Sequence, residues 1–146
     1  FKISFDAVNT HFKEIFSRLS TKGDATLEVE NPEDPFEGGV GIKVRMAGKR
    51  FLDIRSLSGG EKTMTALAFI FAIQEHEPAS FYILDEVDAA LDKNNAEKFG
   101  KLIQKYAERA QYIMISHKDG VINMANTLYG VSMNEHGMSK VVSLKV

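Results

Sequence analysis

Phe1, Phe5, Val8, Phe12, Ile15 and Leu19 recur at intervals of 4, 3, 4, 3 and 4, with Lys2, Asp6, Lys13, Glu14 and Arg18 between them. That a/d rhythm predicts a helix over residues 1–20, either an amphipathic helix packed on a core or the end of a longer coiled coil. Ala25, Leu27 and Val29 then alternate with Thr26, Glu28 and Glu30, and Val40, Ile42, Val44 and Met46 with Gly41, Lys43 and Arg45. Each run predicts a half-buried strand, and the proline- and glycine-rich stretch 31–39 predicts the turn between them. Residues 62–77 have helical length and are apolar nearly all round, which predicts burial on most sides. The short apolar runs 81–84 and 112–115 predict buried parallel strands. Between them, Phe99, Leu102, Ile103 and Tyr106 form the i, i+3, i+4, i+7 stripe of an amphipathic helix. A short helix over 118–126 and a closing hairpin, 127–133 with 140–146 around Glu135-His136-Gly137, complete the pattern. Strand–helix alternation beyond residue 60 predicts an α/β layer with parallel strands.

Composition narrows the classes. With 146 residues, 44% of them apolar and 26% charged, the chain suits one globular domain and not a disordered tail. Eighteen basic against twenty acidic side chains give a formal charge of −2, so no overall attraction to nucleic acid follows. Locally, Lys43, Arg45, Lys49, Arg50 and Arg55 face a single acid, Asp53, within residues 43–55. Such a stripe fits either DNA phosphates or a solvated strand edge. The absence of cysteine excludes disulfides and thiolate chemistry and fits an intracellular address. The longest apolar run, 66–73, falls far short of the ~20 residues that span a bilayer, so no membrane role is expected. No signal peptide is visible, and a chain that starts at Phe1 reads as a fragment.

Three clusters carry candidate chemistry. Leu57-Ser58-Gly59-Gly60-Glu61 stands directly before the long helix. A hydroxyl, two glycines and unpaired helix N–H groups make an anion site, or simply a helix cap with Glu61 in the first turn. Phe81-Tyr82-Ile83-Leu84 delivers Asp85 and Glu86 to a strand's C-terminal end, where α/β proteins bind ligands. One carboxylate there can hold Mg²⁺ and the next can orient or deprotonate water, unless the pair is only an acidic turn. Ser116-His117 follows the next strand and can reach the same crevice, or lie on the surface. Ala89-Ala90-Leu91-Asp92 forms a turn in which Asp92 is most simply a helix N-cap.

Together these clusters resemble one family. Leu-Ser-Gly-Gly-Glu resembles an ABC signature motif, Tyr-Ile-Leu-Asp-Glu a Walker B strand, Ala-Ala-Leu-Asp a D-loop, and His117 the switch histidine. Residues 57–72, residues 81–92, Asp34-Pro35-Phe36-Glu37-Gly38-Gly39 and the ending around Gly130-Val131-Ser132 are similar to structural maintenance of chromosomes (SMC) proteins, of archaeal or bacterial type. The resemblance implies the C-terminal half of an ABC-type ATPase head, an α/β lobe with a largely parallel sheet flanked by helices. Residues 1–20 would end a coiled-coil helix, and 21–146 would form the lobe with its closing hairpin. It further implies ATP and Mg²⁺ as cofactors, with Asp85 supporting the metal, Glu86 catalytic and His117 at the γ-phosphate. Ser58, Gly59, Gly60 and Glu61 would meet the nucleotide of a partner head, and Asp92 the head–head interface. No G-x-x-x-x-G-K-[ST] run occurs; Gly48-Lys49-Arg50 and Gly100-Lys101-Leu102 do not fit it. A P-loop lobe, a second head, a kleisin winged-helix domain and DNA are therefore the implied partners, in a cytoplasmic, chromosome-associated setting. The rivals are a transporter ATPase, a DNA-repair ATPase of the same head type, and a non-catalytic docking module.

Overall fold

The computed structural model describes residues 1–20, 23–46 and 50–145. Helix α1 (Lys2–Leu19) opens the chain, and the heptad rhythm divides along it. Phe12, Ile15 and Leu19 are buried in the core together with Phe16, whereas Phe1 stays half-exposed. The lower part of the helix is therefore core, while Phe5 and Val8 pack against its rim and Phe1 and Ile3 lie open. Strands β1 (Gly23–Val29), β2 (Val40–Met46) and β3 (Leu52–Asp53) form an antiparallel sheet in that order. Ala25, Leu27 and Val44 supply its buried face, as alternation predicts. Asn9 fastens α1 to the sheet edge, its side-chain oxygen accepting the Leu27 N–H at 2.9 Å.

A single 3₁₀ turn (Ile54–Ser56) leads into α2 (Gly59–His76), the central helix. Met64, Leu67, Ala68, Phe71 and Ala72 are buried, while Ile70 and Ile73 are 38% and 42% exposed, so the helix is covered on most sides, as expected, and open on one. Phe69 meets Phe12 edge to face at 6.1 Å, joining α2 to α1. Strand β4 (Phe81–Asp85), helix α3 (Lys93–Tyr106) and strand β5 (Gln111–Ile115) then make one β-α-β unit, with β4 and β5 parallel and Asp85 opposite Ile115. On the inner face of this pair, Tyr82 stacks on Tyr112 at 4.9 Å and Tyr112 on Phe71 at 6.1 Å.

The expected largely parallel sheet is corrected here. Among the described residues only β4 and β5 run parallel, because α3 gives them their crossover, while the remaining strands are joined antiparallel. Nor are these two strands buried on both faces. Phe81, Ile83, Ile113 and Ile115 are 57%, 61%, 45% and 48% exposed and line one side of the pair.

Helix α4 (Asp119–Ile122) is shorter than the predicted 118–126 segment. The closing hairpin forms as expected from β6 (Thr127–Met133) and β7 (Ser139–Lys145). Gly137 takes φ 76° at its tip, and the Asn134 side chain accepts the His136 and Met138 N–H groups. Among the described residues it does not complete a core sheet, since β6 and β7 pair only with each other there and Tyr129, Val131, Val141 and Leu144 lie exposed. Val146, the last expected strand residue, lies outside the described residues.

Helices α3 and α4 meet backbone to backbone at Gly100 and Gly120. A Cβ on Gly100 would overlap the Gly120 carbonyl oxygen, and one on Gly120 would come within 2.8 Å of the Glu97 nitrogen. Gly100→Ala is expected to cost about 1–3 kcal/mol, the usual effect of overpacking. Urea denaturation of the two chains checks this, and an unchanged midpoint would show that α4 moves aside freely.

Candidate functional site

The parallel register ends β4 and β5 at the same edge, so the residues that follow are neighbours. Asp85 closes β4 and is exposed. Glu86 comes next at φ 47°, the left-handed region that non-glycine residues seldom occupy. Two backbone bonds hold it: its N–H donates to the Ile115 carbonyl at 2.9 Å, and its carbonyl accepts from Ala89 at 3.0 Å. In this conformation Glu86 Oε1 lies 3.1 Å from Nε2 of His117, and both side chains face solvent, 54% and 84% exposed. The two turns thus bring together Asp85, Glu86 and His117. Accessible carboxylates beside an imidazole can orient water and exchange protons with it.

A second group lies around the start of α2. Ser58 is the N-cap, and its hydroxyl and N–H donate to Glu61 Oε2 at 2.8 and 3.1 Å in a capping box. Gly59 has open space where a side chain would be, and a Cβ on Gly60 would lie 3.5 Å from the Ala90 carbonyl. Ser58, Gly60, Glu61, Ala90 and Asp92 share the wall of a cleft of about 460 Å³. Asp92 is the N-cap of α3, accepting the Asn95 N–H at 2.8 Å. The cap readings of Ser58 and Asp92 are therefore realised, and both residues also border an open cleft.

Residues 86–92 connect the two groups. Within them sits a residue that the pattern did not single out, Asp88, which is 1% exposed and accepts the Ser116 hydroxyl at 2.5 Å. Its only sequence signal was a charge set between apolar Val87 and two alanines. Among the described residues no three His, Asp or Glu side chains gather as a metal cage. Asp85 and Glu86 nonetheless offer carboxylate oxygens, the donor type Mg²⁺ takes alongside phosphate and water.

Three of the five basic side chains in the stripe have acidic partners. Arg45 meets Asp24 at 2.6 Å, Arg55 meets Asp53 at 2.8 Å, and Lys43 lies 3.9 Å from Asp53. The Arg55 hydrogen bonds hold the Asp53 carboxyl well below the ordinary carboxylate range. Lys49 lies outside the described residues. These ion pairs match a strand edge better than an open phosphate track.

A family model described as RecF/RecN/SMC N terminal domain matches residues 4–140. The chain is similar over all its 146 residues to the chromosome partition proteins Smc of Pyrococcus furiosus (47% identical) and Bacillus subtilis (40% identical), and spans 12% of the length of each. Among solved structures it is similar to an Smc head bound to the C-winged helix domain of ScpA, with TM-score 0.91 and 48% identity over 97% of this chain and 43% of that one. It is similar also to a structure reported as "Structural biochemistry of ATP-driven dimerization and DNA stimulated activation of SMC ATPases", with TM-score 0.89 and 45% identity over 98% of this chain and 86% of that one. One expectation is corrected: the matching model is described as an N-terminal domain, so the match gives no support to a place in the C-terminal half. No helix among the described residues is long and apolar enough to cross a membrane. The chain belongs to the RecF/RecN/SMC family and has a fold found within SMC heads.

Proposed function

We propose that this chain is one lobe of an SMC-type ATPase head, the lobe that carries the signature segment and the water-activating carboxylates. Its complement is a lobe that carries the P-loop. The observation that carries this reading is the edge of the β4–β5 pair, where Asp85, Glu86 and His117 are gathered on accessible turns. The bare apolar face beside them supports a missing neighbour. Burying half-exposed Phe81, Ile83, Ile113 and Ile115 would contribute roughly 1 kcal/mol each. A docking scaffold has no use for two adjacent carboxylates at that edge.

In the complete head Asp85 would hold Mg²⁺, whose charge offsets that of the ATP phosphates when both are bound. Glu86 takes the proton of the attacking water, and His117 keeps its carboxylate oriented and faces the γ-phosphate. Ser58, Gly59 and Gly60, at the positive end of α2, suit the γ-phosphate of a nucleotide on a second head. There the Ser58 hydroxyl must exchange Glu61 for phosphate. Asp92 borders the same cleft, which supports its facing that second head. The exposed hairpin, with Tyr129, Val131, Val141 and Leu144, suits a kleisin winged-helix domain such as the one bound in the similar Smc head. For the whole protein this amounts to ATP-driven chromosome organisation in the cytoplasm. DNA is a partner of that assembly, and the ion pairs of Lys43, Arg45 and Arg55 favour a strand edge over a DNA track at those three residues.

Purified alone, this chain is expected to show no ATP turnover, and mixing it with the P-loop lobe of the same protein should restore it. Turnover by the chain alone would overturn the reading. In the completed head, Glu86→Gln should keep ATP binding and lower hydrolysis by about 10²–10⁴-fold, the range for a lost general base. Turnover close to that of the parent would remove Glu86 from its role. Ser58→Arg should block association of two ATP-bound heads, measured by sedimentation, while ATP binding to the same head stays intact. Loss of ATP binding in that variant would contradict action across the interface.

A further inference from the structure

Asp88 is the one charged residue buried to 1% among the described residues, and neither cofactor nor water chemistry in the reading above uses it. A carboxyl is rarely buried this far without a partner that fixes it. Its partner lies on the other strand's turn. The Ser116 hydroxyl donates to Asp88 Oδ2 at 2.5 Å and accepts the Lys118 N–H at 3.0 Å. This one hydroxyl therefore ties the turn after β4 to the turn after β5, beyond the last backbone rung from Glu86 to Ile115.

The residues next to this tie are the reactive pair. Glu86 precedes Asp88 by two positions and His117 follows Ser116 directly. Both reactive side chains are solvent-exposed, so in this chain their 3.1 Å approach depends on how the two backbones are held. Glu86 is also kept at φ 47°, a conformation that costs about 1–3 kcal/mol and persists only where surrounding contacts impose it. We infer that the buried Asp88–Ser116 bond is a positioning link: it fixes the turns that carry Glu86 and His117 relative to each other without touching substrate. The inference rests on the ATPase reading above and names two residues that act through its catalytic pair. The same turn continues to Ala90, which faces Gly60 across the cleft, so the link also fixes the lip of the second group.

The test uses the full-length protein that contains this chain, with kcat and KM for ATP measured per folded head. Ser116→Ala should lower kcat roughly tenfold to a hundredfold, as small misplacements of reacting groups do, with KM changed by less than about threefold. ATP-dependent head association should persist. Ser116→Thr, which restores the hydroxyl, should return kcat to within about threefold of the parent. A merely structural residue would lower the folded fraction and head association together with turnover, and leave kcat per folded head unchanged. If Ser116→Ala does not fold, Asp88→Asn combined with Ser116→Ala removes the buried charge along with its donor. That double variant should fold and show the same low kcat; failure to fold would make the pair a fold element and overturn the link. Equal kcat in Ser116→Ala and the parent, or equally low kcat in Ser116→Ala and Ser116→Thr, would overturn it too. Glu86→Gln measured alongside separates the two levels. An inactive Glu86→Gln with an active Ser116→Ala removes only the link, whereas an active Glu86→Gln removes the ATPase assignment on which it rests.

Discussion

Parallel pairing of β4 with β5 is the constraint on which the rest of the molecule turns. Parallel strands cannot be joined by a tight turn, so α3 must cross over between them, and the crossover leaves both C-terminal ends on one edge. Everything reactive follows from that edge. Asp85 ends one strand, Glu86 and His117 start the two turns, and Asp92 caps the crossover helix that the pairing requires. An antiparallel arrangement of the same strands would send Glu86 and His117 to opposite ends of the sheet. The Gly100–Gly120 contact seats α4 on α3 and so braces the turn that bears His117 from the other side.

The packing is lopsided in an informative way. Around Phe12, Phe71 and Phe99 the interior is closed, with aromatic rings in contact from α1, α2, α3 and β5. Away from that centre, apolar side chains lie open on the outer face of β4–β5, on the hairpin, and on the first turns of α1. Isolated surface hydrophobes need no explanation, but apolar groups that line one face of a sheet do. A lone two-stranded hairpin with both faces wet is marginally stable by itself. In the reading proposed above, these three surfaces would meet three different neighbours: a P-loop lobe, a kleisin domain, and the continuation of a coiled coil.

Much of this was legible in the sequence because local pattern and tertiary role agree. The alternation survives in β1, where Ala25 and Leu27 are buried and Val29 partly so, and Ser58 and Asp92 cap the helices their spacing announced. The motif residues too fall at strand ends and helix starts. What was not legible depends on partners or on long-range approach. A run such as Phe81-Tyr82-Ile83-Leu84 reads as buried on both faces, whereas this chain covers only the inner face and leaves Phe81 and Ile83 exposed on the other. The stripe at 43–55 holds one acid along the chain, Asp53, yet a second, Asp24, arrives from the neighbouring strand to pair with Arg45. Asp88 carries no local sign of its burial, since its partner Ser116 is 28 residues away.

The outer face of β4–β5 as the seam of a two-lobed head is the claim on which the functional reading depends. Residue-resolved amide hydrogen exchange tests it most directly, comparing this chain alone with the chain bound to its P-loop lobe. Amides of β4 and β5 should slow by about tenfold or more on association, equivalent to ~1.4 kcal/mol of added local stability, while those of the β6–β7 hairpin stay unchanged. Unchanged exchange in β4 and β5 in the associated state would contradict the seam and, with it, the assembly of an ATPase site at that edge.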